Sequence, residues 1–449
     1  MSERCSCGIG LIGGGVVGGG VVELLLRRKE LLARRTGIEL ELLAVADIDR
    51  ERVAALGVPE NRIVSDYRRL FDNPEIRIVV ELIGGVGVAA EAVLASLDAG
   101  RRVVTANKAL LANRGREIFS RARGNGVGVA FEAAVAGGIP LIASIRDGLI
   151  VNRTQSLLGI VNGTCNYILS QMAASGRSFA DCLAEAQRLG FAEADPSADI
   201  DGLDSGHKLA LLSALAFETW VDFPALHIEG IRGIKDDDIR ITRDLGYTLK
   251  LLAIARPEHP PETVGEDGKG GDEAGGRLFL SVHPALLRNG DPLAGVSGSL
   301  NAVRTVGDAV RESMFYGRGA GRYPTASAVV SDIAMTASSL IFGDGYRGWL
   351  PPERNAYEPA PMDDYRTRYY LRFAVRDRPG VLGNIATALG SHRVSIAAAH
   401  QFENDHPDGF ASVCIFSHLA REGDIRASLA EIGGMDFLRD KPVLIRIED

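Results

Sequence analysis

A chain of 449 residues, 46% hydrophobic and 24% charged, has the composition of a globular protein large enough for two or three cores. A formal net charge of -8, with no Arg/Lys run interleaved with aromatics, excludes the electrostatic footprint of a nucleic-acid binder. No apolar run reaches the ~18 residues of a membrane span, and the start MSERCSCGIGLIGGG lacks the pattern of a secretory signal. Cys5, Cys7, Cys165, Cys182 and Cys414 are too scattered for a zinc set, so a reduced, cytoplasmic enzyme without membrane contact is expected.

Cys7 to Ile12 reads as a short apolar strand running into Gly13-Gly14-Gly15-Val16-Val17-Gly18, and VVELLLRRKELLARR continues as a helix. Between strand and helix such glycines permit a tight turn and close approach to a pyrophosphate at the helix amino terminus. A second strand, Leu40 to Ala46, ends at Asp47, which suits the two ribose hydroxyls of NAD; Arg50 or Arg52 could instead meet the 2′-phosphate of NADP. VVELIGG (79–85) and VVTANKALLA (103–112) follow, the latter bringing Lys108 to the carboxyl edge of a parallel sheet, where ligands bind. FEAAVAGGIP (131–140) reads as a strand, a tight turn and a helix entry.

From about residue 141 the alternation of strand and helix changes. LLGIVNGTCNYIL (157–169) ends a strand and opens a helix with Asn162, Gly163 and Thr164 at its amino end, a place for a cap or an anionic group. GFAEADPSADIDGLDSGHK (190–208) packs Glu193, Asp195, Asp199, Asp201 and Asp204 ahead of Lys208 and a buried helix, LALLSALAF. Asp201 suits the N-cap of that helix, with Asp204 three residues on, and Asp204 and Lys208 fall on one face. A calcium loop aligned on Gly202 would put Ser197 and Lys208 at its first and last ligand positions, which rules it out. What remains is a site where carboxylates hold a cationic group and a lysine handles a proton.

Beyond it, residues 257–277 read as a flexible Pro/Gly/charge-rich insertion, 278–283 as a strand, and 314–332 (MFYGRGAGRYPTASAVVSD) as glycines before a helix that packs back on the first domain. Residues 351–364 read as a linker. Strands at 369–377, 394–400, 410–416 and 442–447 with helices at 378–390 and 421–432 complete a βαββαβ module.

From Leu189 through Lys208 the chain resembles the homoserine dehydrogenase family, whose motif runs LG(Y/F)xEADPxxDxxGxDxxHK. The segments at 79–85, 103–112, 131–140, 157–169 and 314–332 resemble the same family, and DRPGVL (377–382) resembles the ACT signature. The resemblance implies an α/β fold with a Rossmann-type coenzyme domain (1–140) and an α+β substrate and dimerisation domain (141–325). A helix returning to the coenzyme domain (326–350), a linker (351–367) and a C-terminal ACT regulatory domain (368–449) follow. It implies NAD(P)-dependent interconversion of L-homoserine and L-aspartate 4-semialdehyde, in threonine, methionine and isoleucine biosynthesis. Lys208 would be general acid and base, and Glu193, Asp204 and Lys108 would bind substrate. Gly13, Gly15, Val16, Val17, Gly18, Asp47, Thr105, Lys108, Gly190 and Gly321 would meet NADP or NAD. Carried over from the family, Glu132, Val135, Gly137 and Ile139 hold a monovalent cation, sodium. A homodimer or larger homo-oligomer and an amino-acid effector at the ACT domain are also implied, and with no aspartate kinase region ahead of it the chain reads as the monofunctional type. Ala46 stands where NADP-preferring members often carry arginine, so the coenzyme choice stays open; Val16 stands where many have threonine, which removes a hydroxyl contact to phosphate, and Val86-Gly87-Val88 replaces an aromatic and Glu-Pro.

Overall fold

Near-continuous apolar runs, such as Ile76 to Val80, where Ile76, Ile78, Val79 and Val80 are each 0% exposed and Arg77 alone is exposed, mark strands buried on both faces, as in a parallel sheet. In the computed structural model, which describes residues 5–262, 276–343, 349, 351–352, 354–402 and 409–448, these runs form a six-stranded sheet. Its elements are β1 (Cys5–Ile12), α1 (Val16–Arg27), α2 (Lys29–Thr36), β2 (Ile38–Ala46), α3 (Arg50–Ala55), β3 (Ile63–Val64), β4 (Ile76–Glu81), α4 (Val88–Asp98), β5 (Arg102–Thr105), α5 (Lys108–Gly124) and β6 (Val129–Ala130). The order β3-β2-β1-β4-β5-β6, every pairing parallel, puts the topological switch point between β1 and β4. The single helix expected after the glycines is two, divided at Arg28. α1 buries Val21, Val22 and Leu25, whereas the charged stretch after it buries only Ala33, so packing does not hold the two in one line.

The second half begins with α6 (Leu141–Ala143), β7 (Thr154–Ile160), α7 (Gly163–Ser175), α8 (Phe179–Arg188), α9 (Ser197–Ile200) and α10 (Leu203–Ala216). There follow β8 (His227–Ile228), α11 (Asp236–Asp244), β9 (Tyr247–Pro257), β10 (Arg277–Arg288), β11 (Leu300–Gly307), β12 (Arg311–Arg318) and α12 (Arg322–Phe342). The expected insertion at 257–277 proves shorter: Pro257 and Arg277 belong to the antiparallel strands β9 and β10, where Leu278 pairs with Pro257. Residues 263–275 lie outside the described residues.

α12 begins at Arg322, four residues before the expected helix, and runs for 21 residues. By length and composition alone it could cross a membrane, but it lies against α1, with Ala326, Val329, Ile333 and Ala337 in the coenzyme-domain core. Small residues make that approach possible: a Cβ on Gly20 would come within 3.0 Å of the Ala326 Cβ.

The segment 351–364 is more than a linker, since β13 (Glu358–Pro359) pairs with β10. Then β14 (Arg366–Arg376), α13 (Val381–Ser391), β15 (Ile396–Phe402), β16 (Phe410–Ser417), β17 (Ala420–Arg421), α14 (Glu422–Gly433) and β18 (Val443–Ile447) form the ACT module. β18 lies between β14 and β10, so the module's sheet extends the substrate-domain sheet. Buried charge is paired at this seam: Asp238 of α11 takes two bonds from Arg372 (2.5 and 3.0 Å), and fully buried Arg446 meets Glu229 and Glu422.

Candidate active site

α10 opens at Gly202, whose φ of 84° makes it a left-handed N-cap, so the expected Asp201 cap is not formed. A Cβ at this position would sit 3.0 Å from Ile228 Cγ2, because the turn passes tightly over β8. Asp201 points away and pairs with Arg232 at 2.8 and 2.9 Å. One turn into the helix, Lys208 Nζ donates to Asp204 Oδ2 (2.6 Å) and to the Val161 carbonyl after β7 (2.6 Å). The other Asp204 oxygen lies 3.2 Å from Lys108 Nζ. Asn162 caps α7 through Oδ1, and its Nδ2 donates to Asp199 (2.7 Å) and Asp204 (2.9 Å). One carboxylate therefore gathers groups from α5, α7 and α10.

Burial would raise the Asp204 carboxyl, but Lys208, Lys108 and Asn162 hold it well below the usual carboxylate range. Asp199, a neighbour on the same asparagine, is raised, chiefly by burial and further by the Asp204 charge. Two carboxyls pushed in opposite directions beside a lysine suit proton chemistry. An ammonium has three N–H donors, and two of those on Lys208 are engaged, leaving one for a ligand oxygen. Cys165 is no nucleophile: its thiol is buried, raised well above the usual range by that burial, and donates to the Asp199 carbonyl.

Not every expected residue joins this cluster. The Glu193 side chain is exposed and makes no hydrogen bond or ion pair among the described residues. Gly190 follows α8 with φ 76°, a turn position. Thr105 is fully buried, donates to Glu81 Oε2 (2.7 Å) and accepts from the Asn107 N–H (3.0 Å), so its side chain shapes the turn. Glu81, also fully buried, accepts from the Ile83 and Gly84 N–H groups, and Asn107 caps α5 while donating to the Gly85 carbonyl. Together they fix the ends of β4 and β5 and start α5 at Lys108. Neither was singled out from sequence; the available signal was an ionisable glutamate inside the apolar run VVELIGG.

At the switch point, Gly13 has φ 98° and a Cβ on Gly18 would fall 1.9 Å from the Gly13 oxygen, so the turn admits no side chain there. No side chain caps α1, and the space where Gly15 would carry a Cβ is open to 4 Å. Free amides at a helix amino terminus beside open space fit a pyrophosphate. Asp47 accepts from the Gly14 N–H (2.6 Å), the Asp49 N–H (2.8 Å) and Arg52 Nη2 (3.0 Å to each oxygen). Val16, Ile48 and Val88, which follow adjacent strands β1, β2 and β4, are 72%, 91% and 57% exposed. Apolar side chains uncovered along one sheet edge suit a flat ligand packed over them. Val17 is half-buried in the helix face. Gly321 (φ 118°) precedes α12, whose Arg322 and Tyr323 both bond Glu23 of α1.

Glu132 follows β6 and is buried. Its carboxylate accepts the Ile142 and Ala143 N–H groups (2.8 Å each), and its own N–H donates to Asp332 (2.8 Å). Burial raises Glu132 and pushes Asp332 up to about 7. Both border a cavity of about 310 Å³ with Gly137 and Ile139 in its wall, and nearby Ala136 holds a strained φ of 50°. Among the described residues no three His, Cys, Asp or Glu side chains cluster as metal ligands, so an ion here would depend on backbone carbonyls, the donor set of a weakly held monovalent ion. In the ACT module a cavity of about 390 Å³ is lined by Arg376, Asp377, Arg378, Gly380 and Gln401, at the amino end of α13.

Family models for the homoserine dehydrogenase NAD-binding domain, for homoserine dehydrogenase and for the ACT domain match residues 13–132, 140–334 and 369–434. A homoserine dehydrogenase of Neisseria gonorrhoeae is 42% identical over 444 residues, 98% of each chain. The crystal structure of a homoserine dehydrogenase from Thiobacillus denitrificans matches with a TM-score of 0.89 and 41% identity, over 99% of this chain and 98% of that one. A hyperthermophilic archaeal homoserine dehydrogenase in complex with NADPH matches 74% of this chain and 98% of its own, with a TM-score of 0.59 and 26% identity. Similarity that runs through the glycine turn, the Asp204 cluster and the ACT module alike places the chain in the homoserine dehydrogenase family of NAD(P)-dependent oxidoreductases.

Proposed function

We propose that the Asp204 cluster interconverts L-homoserine and L-aspartate 4-semialdehyde, with Lys208 moving the proton. The observation that carries this is Lys208 anchored by Asp204 and the Val161 carbonyl, with one N–H left over. A bound nicotinamide coenzyme, NADP or NAD, supplies the hydride acceptor or donor. In aldehyde reduction the remaining N–H of the Lys208 ammonium donates its proton to the carbonyl oxygen; in alcohol oxidation the same nitrogen, as the neutral amine, takes the hydroxyl proton. Asp204 orients both lysines, and with Glu193 at the rim it holds the substrate amino group. Asp199, on the same asparagine, adds a second carboxyl facing that group. Lys108, half-exposed on the opposite side of Asp204, reaches substrate or coenzyme.

The remaining assignments follow the same reading. Gly13, Gly15 and Gly18 cradle the pyrophosphate, Asp47 marks the adenosine-ribose end, and Gly321 borders the nicotinamide end. Sodium binds the Glu132 carboxylate and the carbonyls of Val135, Gly137 and Ile139, a reading supported by the strained Ala136 between them. An amino acid binds the ACT cavity. Two copies pair through the substrate domain, in keeping with β12 as an exposed sheet edge whose Tyr316 is 67% exposed. Five free thiols suit a reducing cytoplasm. The test is the homoserine-dependent initial rate with NAD+ and NADP+, each with and without sodium and threonine. A rate specific to homoserine is expected; coenzyme binding without turnover on homoserine would overturn the substrate assignment.

A further inference from the structure

We propose that Arg52 is the residue that sets coenzyme choice, by holding Asp47 closed to a ribose diol and offering its guanidinium to a 2′-phosphate. The inference deepens the coenzyme reading above and rests on it.

A carboxylate has about four acceptor positions. On Asp47 all four are taken: Oδ1 by the Asp49 N–H and Arg52, Oδ2 by the Gly14 N–H and Arg52. The two backbone donors belong to the turn itself and cannot leave without unmaking it. Arg52 can leave, because its side chain is 48% exposed while that of Asp47 is 6% exposed. The hydroxyls of an NAD ribose therefore gain Asp47 only by displacing Arg52. A 2′-phosphate needs no displacement. Arg52 already neutralises Asp47, removing the repulsion an unpaired carboxylate would exert on a phosphate, and its Nε and Nη1 remain to donate. Nη1 has only a 3.5 Å contact with Asp49, itself half-exposed. Arg50, the other nearby candidate, is committed elsewhere, donating to the carbonyls of Ile63 (2.6 Å) and Glu60 (3.5 Å). Ala46 offers no cation of its own. The arrangement favours NADP and admits NAD at the expense of the Arg52–Asp47 pair.

The experiment is calorimetric titration of NADPH and of NADH into the full-length protein, as wild type, Arg52→Gln and Arg52→Lys, in low and high KCl. Wild type should bind NADPH more tightly than NADH. Loss of a charge-assisted contact should weaken NADPH by about tenfold or more in Arg52→Gln. NADH should tighten severalfold in the same variant, because its ribose no longer competes for Asp47. Arg52→Lys should retain part of the NADPH affinity. Added KCl should weaken NADPH more in wild type than in Arg52→Gln, as expected for a half-exposed ion pair. Equal weakening of both coenzymes in Arg52→Gln would show that Arg52 merely props the loop, and no change in either would remove it from the site; both outcomes overturn the proposal alone. Wild type that binds neither coenzyme would overturn the coenzyme reading as well.

Discussion

Replacing Asp204 with asparagine tests the cluster at its centre while changing almost no volume. In the wild type, one Asp204 oxygen receives Lys208 and Asn162 and the other faces Lys108. An amide has only one acceptor oxygen. Turned toward Lys208 and Asn162, it keeps those two bonds in weaker form, without the carboxylate charge, and presents its NH2 to Lys108. Turned the other way, it sets a donor against two donors. The first arrangement costs less, so Lys108 loses its anchor and moves to water, which its half-exposed position allows. Breaking a buried pair outright costs about 3–5 kcal/mol, and the bonds that survive here reduce that to roughly 2–4 kcal/mol. Catalysis should suffer more than folding, because a misplaced catalytic group alone can cost on the order of 100-fold. We expect kcat/KM for homoserine to fall about 100-fold or more, with a melting temperature lowered yet cooperative. The pH dependence supplies a sign check. The folded-state pKa of Asp204 is depressed, so its stabilisation is present above the unfolded value of about 4 and is lost as pH falls toward the folded value. The melting gap between wild type and Asp204→Asn should be level from neutral pH down to about 5 and close below about 4. Near-normal kcat/KM, or a gap that widens in acid, would refute the electrostatic account of the cluster.

Lys208→Ala should lower kcat by about 100- to 10,000-fold, the range for a lost general acid–base group, with unchanged far-UV circular dichroism; near-normal turnover would remove its role. Gly18→Ala should abolish coenzyme binding in titration calorimetry, since the new Cβ would fall 1.9 Å from the Gly13 oxygen and open the turn; retained affinity would argue that the turn does not bear the pyrophosphate. Replacing sodium by tetramethylammonium should lower turnover and melting temperature in wild type, and Glu132→Gln should erase both sodium effects; an intact sodium response in that variant would place the ion elsewhere. Lys250, buried between Asn166 and the Val296 carbonyl, is pushed down to about 8 by burial. The folded protein releases this proton before the unfolded chain, whose lysine titrates near 10.4, so this group's contribution to stability should rise between about pH 8 and 10. Lys250→Met should flatten that part of a stability-versus-pH profile, and an unchanged slope would refute the assignment.

Much of this protein was determined locally. The glycines after β1 require a tight turn whatever surrounds them, and the apolar runs at β1, β4 and β5 can be buried only in a sheet covered on both faces. The spacing of Asp204 and Lys208 puts them on one face of α10 because a helix repeats every 3.6 residues. The βαββαβ order of the ACT module follows in the same way from periodicity and turns. Tertiary structure decided what distance along the chain conceals. Lys108 and Asn162 reach Asp204 only because β5 and β7 end near α10, and Thr105 is turned inward only because Glu81 lies on the adjacent strand. Asp201 fits an N-cap by propensity, yet the close passage over β8 gives that position to Gly202 and leaves Asp201 to Arg232. The state of Asp47 was hidden for a like reason: sequence places an acid at the end of β2, but whether its lone pairs are free depends on the fold of the turn and on where α3 sets Arg52. Periodicity and backbone sterics act within a few residues and can be read from the chain; a carboxylate's partners are fixed by packing between elements, which only the folded molecule contains.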